Sequence, residues 1–233
     1  MNFVPTPHRT SPRRALIVSG IALILPWPLR RWLLRVLCGY SFGKDARIGC
    51  SLIGCTSLQM GPSSRIGHFN VVKGVRADLG ERATVGDFNW ISGLAAGNKK
   101  HFTEESSRDP AFVLGRHAAV TSRHYIDCSN CVNIGEFATV AGARSQILTH
   151  AIDFNRSRQV SAPVRIGRYS FVGTGCIVLK GAELPDCSVL AAGSSLSRAF
   201  GDTFTLYSGV PAKAVKPLDR DAEYFRRTRG YVD

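Results

Sequence analysis

Aliphatic residues recur at every sixth position along much of this chain, most regularly in its C-terminal half. The residue two places before each aliphatic is small in nearly every case. The C-terminal run is Ile166, Val172, Val178, Leu184, Leu190 and Leu196. Earlier runs with the same spacing are Met60, Ile66, Val72; Leu79, Val85, Ile91; Leu114, Val120, Ile126; and Ile134, Val140.

A six-residue period fits neither common regular structure. An apolar face with that period drifts around an α-helix, and a plain strand is not interrupted by a turn every six residues. One short strand followed by one corner does fit, because side-chain alternation then points the aliphatic and the small residue inward together. Three such units close a triangular coil, and stacked coils form a parallel β-helix. Glycine directly follows many of the aliphatics, and we expect it at corners with unusual backbone conformations.

The repeat divides the chain into three segments. Residues 1–40 form an apolar and basic N-terminal segment, 41–200 the β-helix, and 201–233 a C-terminal extension predicted to be helical. Two polar stretches inside the β-helix, 97–111 and 149–163, carry no six-residue pattern. We expect each to be a loop leaving the coil, and loops of this length in a compact repeat domain are usually functional.

The N-terminal segment contains an apolar run from Ala15 to Leu25, preceded by Arg13 and Arg14 and ended by Pro26. The run is too short to span a bilayer, and no signal-peptide cleavage pattern follows it. A basic amphipathic stretch, 30–37, comes next. Two interpretations stand side by side: a helical segment that caps the open end of the β-helix, or peripheral attachment to an anionic membrane face.

The charge balance favours anionic partners. Lys and Arg number 30 against 17 Asp and Glu, for a formal net charge of +13. No nucleic-acid-binding motif accompanies this charge, so we expect no nucleic acid partner. The 7 cysteines show no disulfide-framework spacing, which favours a reducing compartment. Cys128 and Cys131 form a C-x-x-C without a second ligand pair at zinc-site spacing, so we expect buried thiols and no metal.

Several segments resemble hexapeptide-repeat acyltransferases. After the C-terminal run, the segments Ala191–Ser194 and Gly209–Lys213 are similar to the C-terminal half of that family. The segments Ser122–Cys128 and Gly142–His150 resemble its branch of colanic-acid and other polysaccharide O-acetyltransferases. The resemblance covers about residues 40 to 218. It implies a left-handed β-helix, acetyl-CoA as acyl donor, a sugar or glycolipid hydroxyl as acceptor, and a homotrimer. With the reducing compartment that the cysteines favour, we expect a cytoplasmic enzyme, and the apolar and basic N-terminal segment would suit an acceptor held at the inner membrane face.

His150 opens the second polar stretch and is the candidate general base. A sugar hydroxyl is a poor nucleophile near neutral pH, and an imidazole can take its proton as it attacks a thioester. Direct transfer of this kind needs no acyl-enzyme. The resemblance assigns the base position to the Thr149-His150 pair. Either Asp153, three residues on, or a backbone carbonyl would orient the ring.

Two polar residues occupy inward positions where the repeat elsewhere has Ala, Ser or Cys. They are Asn89, before Ile91, and His124, before Ile126. A bulky polar group at such a site is costly unless it is hydrogen-bonded, so each is either a satisfied core residue or part of an acceptor pocket. The resemblance aligns 123–125 with acceptor-contacting residues. The candidate acceptor residues are Asn89, Trp90, Arg123, His124 and Tyr125.

On the donor side, the resemblance implies a groove between coils for the pantetheine arm and cations for the phosphates of acetyl-CoA. Ser197 replaces the more usual Thr of the family. The alternative for the cations is an ordinary solvated basic surface. The candidate residues for binding acetyl-CoA are Thr174, Ala192, Gly193, Ser197, Arg198, Lys213 and Lys216.

Three other functions are also considered for this sequence. The same scaffold can acetylate serine or a drug-like acceptor. A carbonic-anhydrase-like β-helix would bind zinc through three His, but the 6 His of this chain form no evident triad. A non-catalytic scaffold is the third, and His150 together with Arg198 and the G-V-P-A-K motif favours an enzyme over it.

Overall fold

The computed structural model describes residues 10–96, 100–105 and 107–232. Between residues 41 and 196 the chain forms seven coils, each with three short strands. The first three coils comprise β1 (Ser41–Phe42), β2 (Arg47–Ile48), β3 (Leu52–Gly54), β4 (Ser57–Met60), β5 (Arg65–Ile66), β6 (Val71–Lys73), β7 (Arg76–Leu79), β8 (Thr84–Val85) and β9 (Trp90–Ser92). The next two comprise β10 (Ala111–Leu114), β11 (Ala119–Val120), β12 (Tyr125–Asp127), β13 (Val132–Ile134), β14 (Thr139–Val140) and β15 (Gln146–Leu148).

A hairpin of β16 (His150–Asp153) and β17 (Arg158–Ser161) separates the fifth coil from the sixth. The last two coils and the strands that follow are β18 (Val164–Ile166), β19 (Phe171–Val172), β20 (Ile177–Val178), β21 (Glu183–Leu184), β22 (Val189–Leu190), β23 (Ser195–Leu196), β24 (Thr205–Gly209) and β25 (Ala212–Pro217). The helices are α1 (Pro12–Ile21), a 3₁₀ helix (Ala22–Ile24), α2 (Trp27–Cys38) and a 3₁₀ helix (Glu223–Phe225).

The coils stack so that equivalent strands form three faces. The first face contains β1, β4, β7, β10, β13, β18 and β21, and the second contains β2, β5, β8, β11, β14, β19, β22, β24 and β25. The third contains β3, β6, β9, β12, β15, β20 and β23. Strands of successive coils pair in parallel, with Ile126 opposite Ile91 on one side and Ile147 on the other. The predicted parallel β-helix is confirmed, and the architecture agrees with the left-handed form.

The interior consists of the residues that set the six-residue pattern. The aliphatics of the C-terminal run, from Ile166 to Leu196, are completely buried, and so are Val164, Ser170 and Cys176 among the small residues before them. Each aliphatic contributes about 1.5–3 kcal/mol by leaving water. Because the small partners leave space beside them, the same triangular cross-section repeats from coil to coil.

The glycines after the aliphatics have a different role from the one expected. A Cβ on Gly80 would lie 2.6 Å from the backbone nitrogen of Arg116, and one on Gly115 equally close to that of Glu136. These glycines therefore permit close approach of the next coil. The left-handed backbone at this corner falls on other residues, with φ of 53° at Arg82 and 58° at His117.

Helices α1 and α2 close the N-terminal end of the β-helix. No coil precedes the first one, so its outward backbone groups need partners from elsewhere. The guanidinium of buried Arg30 donates to the carbonyls of Gly49 and Ser51, each at 2.7 Å. The hydroxyl of Ser19 accepts the N–H of Ile53 at 3.0 Å. Of the two interpretations of this segment, the structure shows end capping. Within the described residues, no helix is long and apolar enough to cross a membrane.

The predicted helical C-terminal tail is wrong. β24 pairs in parallel with β22 and so extends the second face by one strand, and β25 folds back antiparallel on β24. The antiparallel strand covers the last open edge of that face, which a helix could not pair with. Among the described residues beyond it, only Glu223–Phe225 is helical. The tail returns along the coil, where the Tyr169 hydroxyl donates to the Arg227 carbonyl at 3.2 Å.

The capping role of Arg30 predicts a loss of stability in Arg30→Met. The variant removes both guanidinium hydrogen bonds and leaves the Gly49 carbonyl with only the Ser51 N–H and the Ser51 carbonyl with only the longer contact from the Ser19 hydroxyl, at 3.4 Å. Because hydrogen bonds from a charged donor are the stronger kind, the free energy of unfolding should fall by about 2–4 kcal/mol in chemical denaturation. Exposed Arg14 on the same helical segment gives the matched control, because Arg14→Met should change stability by less than about 0.5 kcal/mol. Equal losses in the two variants would contradict the capping role.

Candidate active site

The edge between the third and first faces carries both interruptions of the repeat. The chain leaves the coil there between β9 and β10, and again with residues 149–163 between β15 and β18. His150 begins β16 directly after this departure, and its Cα lies opposite that of Ser161 in the hairpin. Because both segments leave the coil at the same edge, two coils apart, their side chains can meet outside the β-helix.

His150 pairs with a carboxylate from the preceding coil. Its Nδ1 lies 2.7 Å from Oδ2 of Asp127, the last residue of β12. Asp127 stands beside His150 because its Cα is opposite that of Leu148 in the parallel third face. The carboxylate accepts a hydrogen bond from Nδ1–H, which leaves Nε2 with the lone pair.

Asp127 is almost fully buried and is held by several donors. Its Oδ1 accepts the backbone N–H and the hydroxyl of Ser129, and its Oδ2 accepts the backbone N–H and the hydroxyl of Thr149. Burial by itself raises the pKa of Asp127, but the hydrogen bonds from His150, Ser129 and Thr149 outweigh it and bring the pKa to about 2. The group is therefore a fixed carboxylate at neutral pH.

The imidazole of His150 is placed to exchange protons with a substrate. The hydrogen bond to Asp127 raises its pKa above the ordinary 6.5, against the opposing effects of burial and of Arg108. Its side chain is 38% exposed, and Nε2 has no hydrogen-bond partner among the described residues. A histidine with one nitrogen anchored on a carboxylate and the other open to the surface can act as a general base.

The structure corrects the expected role of Asp153. Its Oδ1 accepts the backbone N–H groups of Asn155 and Arg156, so it shapes the hairpin turn and makes no contact with His150. Asp127 orients the ring instead, a role that was not predicted from the sequence. The available signal was the repeat itself, since aligning Ile126 with Ile147 puts Asp127 beside the residues that lead into His150.

The first interruption packs against the second. Phe102 is nearly buried and meets the His150 ring edge-on, with centroids 6.0 Å apart. Arg108 lies over the Phe102 ring at 4.3 Å and donates to the Leu94 carbonyl at 2.6 Å. Glu105 accepts the backbone N–H of Ser161 at 2.7 Å. The loop therefore packs against the hairpin and forms one wall beside His150. Residues 97–99 and 106 of the predicted loop 97–111 lie outside the described residues.

A cavity of about 440 Å³ lies between the loop and the hairpin, lined by residues 100–105 and 156–160. His150 does not line it. The partly exposed imidazole is therefore not part of this cavity.

Asn89 and His124 belong to a buried polar column inside the third face. In each coil, the side chain at this inward position accepts the backbone N–H of the equivalent residue in the next coil. Asn70 Oδ1 accepts from Asn89 at 2.8 Å, Asn89 Oδ1 from His124 at 2.9 Å, and His124 Nδ1 from Ser145 at 3.2 Å. The full column is Ser51, Asn70, Asn89, His124, Ser145 and Cys176.

Of the two interpretations offered for Asn89 and His124, the structure shows the hydrogen-bonded core residue. Both side chains are almost fully buried, and the Nε2 of His124 bonds to Thr121 Oγ1 at 2.9 Å. Burial lowers the pKa of His124 to about 4, so the ring is neutral at physiological pH. The assignment of Asn89 as an acceptor contact is corrected by its burial in the column. His124 also lines a depression of about 300 Å³ with Arg123 and Tyr125, so its contact with an acceptor stays a prediction.

Trp90 and Tyr125 lie on the outside of the third face, and Arg123 lies at the corner where that face meets the second. Tyr125 is opposite Trp90 in adjacent strands, and both rings are exposed. Lys73 lies over the Trp90 ring at 4.7 Å. Tyr125 and Asp127 are two residues apart in β12, a spacing of roughly 7 Å. The exposed aromatic surface thus leads along the strand to the His150–Asp127 pair.

Three of the predicted acetyl-CoA residues cluster at the other edge of the third face, where it meets the second. The N–H of Gly193 donates to the carbonyl of Thr174 at 2.9 Å, and Thr174, Ala192 and Gly193 are exposed there in successive coils. The remaining residues lie elsewhere. Ser197 and Arg198 follow β23 at the same edge as His150, and Lys213 and Lys216 lie on β25.

The cations of this set are exposed and available to anions. Within the described residues, Arg198, Lys213 and Lys216 form no ion pair, and Arg198 lies 4.8 Å from the centre of the Phe200 ring. Across the part of the chain that the structure describes, no group of three or more His, Cys, Asp or Glu could hold a metal ion.

Comparisons with known proteins give solved structures of similar fold. One is the polySia-specific acetyltransferase NeuO, with 15% identity and a TM-score of 0.55, covering 79% of this chain and 85% of that chain. Another is the acetyltransferase VCA0836 of Vibrio cholerae complexed with acetyl coenzyme A, with 16% identity and a TM-score of 0.47, covering 89% and 88%. A third is a mutant of AntD, an N-acyltransferase of Bacillus cereus, in complex with dTDP and coenzyme A, with 13% identity and a TM-score of 0.47, covering 84% and 92%.

At this level of identity the likeness to NeuO shows the fold alone: the chain has a β-helix similar to that of NeuO. No family model matches the chain, and a search of curated proteins gives no match.

The polar column predicts which substitutions of His124 are tolerated. His124→Asn keeps an acceptor for the Ser145 N–H, as Asn70 and Asn89 do in their coils, and should cost less than about 1 kcal/mol. His124→Leu leaves that N–H buried and unpaired and should cost about 2–3 kcal/mol, measured by urea denaturation. A much weaker acceptor affinity in His124→Asn at unchanged stability would show instead that the ring contacts substrate.

Proposed function

We propose that this protein is an acetyl-CoA-dependent O-acetyltransferase that acts on a sugar hydroxyl in polysaccharide or glycolipid biosynthesis, with His150 as general base. The observation that carries the proposal is the His150–Asp127 pair, joined at 2.7 Å where the hairpin leaves the coil. An oriented imidazole on an acetyltransferase fold, beside an exposed aromatic surface, suits deprotonation of an acceptor hydroxyl.

The reaction needs one base and no covalent enzyme intermediate. As the acceptor oxygen attacks the thioester carbonyl carbon, its proton passes to Nε2 of His150 and the carbon–sulfur bond breaks. The departing thiolate then takes the proton from the imidazolium. Asp127 keeps the proton on Nδ1 and stabilises the cation formed in between, since its carboxylate stays ionised throughout.

The proposed donor is acetyl-CoA, which supplies the activated acetyl group. The exposed backbone around Thr174, Ala192 and Gly193 suits an amide-rich pantetheine arm. Arg198, Lys213 and Lys216 are exposed cations without carboxylate partners among the described residues, so they can bind phosphates. These features support acyl-CoA use over an ordinary solvated surface.

For the acceptor, we infer a sugar held by Trp90, Arg123 and Tyr125. Exposed aromatic rings bind the apolar faces of sugars, and Arg123 suits an acidic one. The relative NeuO is described as specific for polySia, which makes sialic-acid polymers a sensible first acceptor to test. Serine and drug-like amines or alcohols are the alternative acceptors of the same chemistry.

We further infer a homotrimer that works in the cytoplasm, where the seven free cysteines would stay reduced. The support for the trimer is the division of the site. Thr174 and Gly193 lie at one edge of the third face and His150 at the other, roughly 15–20 Å apart across a face. A neighbouring copy that presents its donor edge to this His150 would complete the site.

The proposed function predicts that His150→Ala loses activity on its best acceptor by about 10²–10⁴-fold, because the base is removed. The measurement is release of the CoA thiol with a panel of sialic-acid polymers, neutral polysaccharides, glycolipids, serine and aminoglycosides. His101→Ala, which alters a histidine of the neighbouring loop, is the matched control and should retain most activity. A His150→Ala enzyme that equals wild type on every acceptor would overturn the assignment.

The same assay followed over pH tests the role of Asp127. Only neutral His150 can accept a proton, so activity should rise with pH through an apparent pKa above 6.5. Asp127→Asn removes the cause of that shift, so the apparent pKa should fall while kcat drops by roughly 10²-fold or more. An unchanged pH profile in Asp127→Asn would exclude Asp127 as the positioning residue.

The shared site predicts complementation between inactive variants. His150→Ala and Ala192→Trp, each inactive alone, should recover about one quarter of wild-type activity when co-expressed as random mixed trimers. The reason is that some interfaces pair an intact base with an intact donor edge. Mixed trimers without activity would place the whole site in one chain, and a monomer by light scattering would contradict the trimer itself.

A further inference from the structure

The two N-terminal helices expose a continuous series of large apolar side chains. On α1 and the following 3₁₀ helix, Ile21 is 69% and Ile24 is 88% exposed, and on α2 Trp32 is 56% exposed. The set, named here the outer helical surface, is Ile17, Ile21, Ile24, Leu29, Trp32 and Val36. Its members follow helical spacing, so each helix presents them on one side.

This surface is separate from the residues that cap the β-helix. The inward side of the first helical stretch is Ala15, Ser19 and Ala22, and all three are buried. The inward side of α2 includes buried Arg30 and Leu34. One side of each helix thus packs on the first coil, and the other side is apolar but faces solvent. Apolar surface of this extent on a folded protein marks an interaction site.

The charged residues of the segment that carries the outer helical surface are all basic. The chain has no Asp or Glu before Asp45. Arg13, Arg14 and Arg35 are exposed, and no ion pair involves them in the described ranges. A second copy of this chain would bring like charges together here, whereas an anionic bilayer would neutralise them.

We propose that the outer helical surface binds the face of an anionic lipid bilayer. Ile21, Ile24 and Trp32 enter the boundary between headgroups and acyl chains, and Arg13 and Arg14 contact lipid phosphates. The helices lie in the interface, since neither is long and apolar enough to span it. The proposal goes beyond the acetyltransferase function and does not depend on it, because the two helices lie on the first coil whereas Asp127 and His150 follow the third strands of the fourth and fifth.

The test is co-sedimentation of the full chain with vesicles of phosphatidylcholine alone or mixed with phosphatidylglycerol. Wild type should bind the mixed vesicles, and added salt should weaken that binding. The double variant Ile21→Glu with Ile24→Glu should lower the partition coefficient by at least roughly tenfold. Arg13→Gln with Arg14→Gln should lower it by roughly thirtyfold on mixed vesicles and little on neutral ones.

The matched control is Ile152→Glu with Phe154→Glu, which adds the same charge at exposed apolar residues of the β16–β17 hairpin; Phe154 is 88% exposed, as Ile24 is. This control should bind vesicles as wild type does. Thermal unfolding of every variant checks that the cap is intact, and the arginine pair supplies a second test that leaves the apolar residues unchanged. Equal binding by all variants would overturn the proposal, as would a lipid-independent dimer abolished by Ile21→Glu with Ile24→Glu.

Discussion

In this β-helix the backbone hydrogen bonds of the strands run between coils, and only the corners add bonds within a coil. A coil is stable only when another coil, or a substitute for one, meets its N–H and C=O groups. The two ends of the stack therefore need different solutions, and the chain provides both. Arg30 and Ser19 bring side-chain donors and an acceptor to the first coil, and β25 folds back to cover the last open edge.

The same constraint determines where chemistry can occur. A strand cannot lengthen without breaking register with both neighbours, so extra residues leave at an edge. Both excursions use the edge between the third and first faces. The catalytic pair draws on the stacking as well, because Asp127 and His150 are 23 residues apart and become neighbours only through parallel pairing of β12 with β15. The position of His150 relative to Asp127 is thus set by the register of the coils.

The fold could be read from the sequence because its determinants are local: an aliphatic every sixth residue and a small residue two places before it. The base could be proposed because His150 stands at a visible break in that pattern. Asp127 was missed because the coil between it and His150 is irregular in length, which hides the alignment of Ile126 with Ile147. Asn89 and His124 were recognisable as misfits, but only the position of the next coil's N–H groups decides their role. The prediction of a helical C-terminal tail was wrong because β25 forms through tertiary pairing with β24 and not through a local sequence pattern.

The contact between the two segments that leave the coil has an evolutionary consequence. Glu105 bonds to Ser161, Glu104 pairs with Arg158, and Phe102 rests against His150, so neither segment has its native shape without the other. The coils beneath them are nearly interchangeable in cross-section. A new acceptor preference is therefore acquired most readily when the segments 93–110 and 149–163 change together while the coils stay the same.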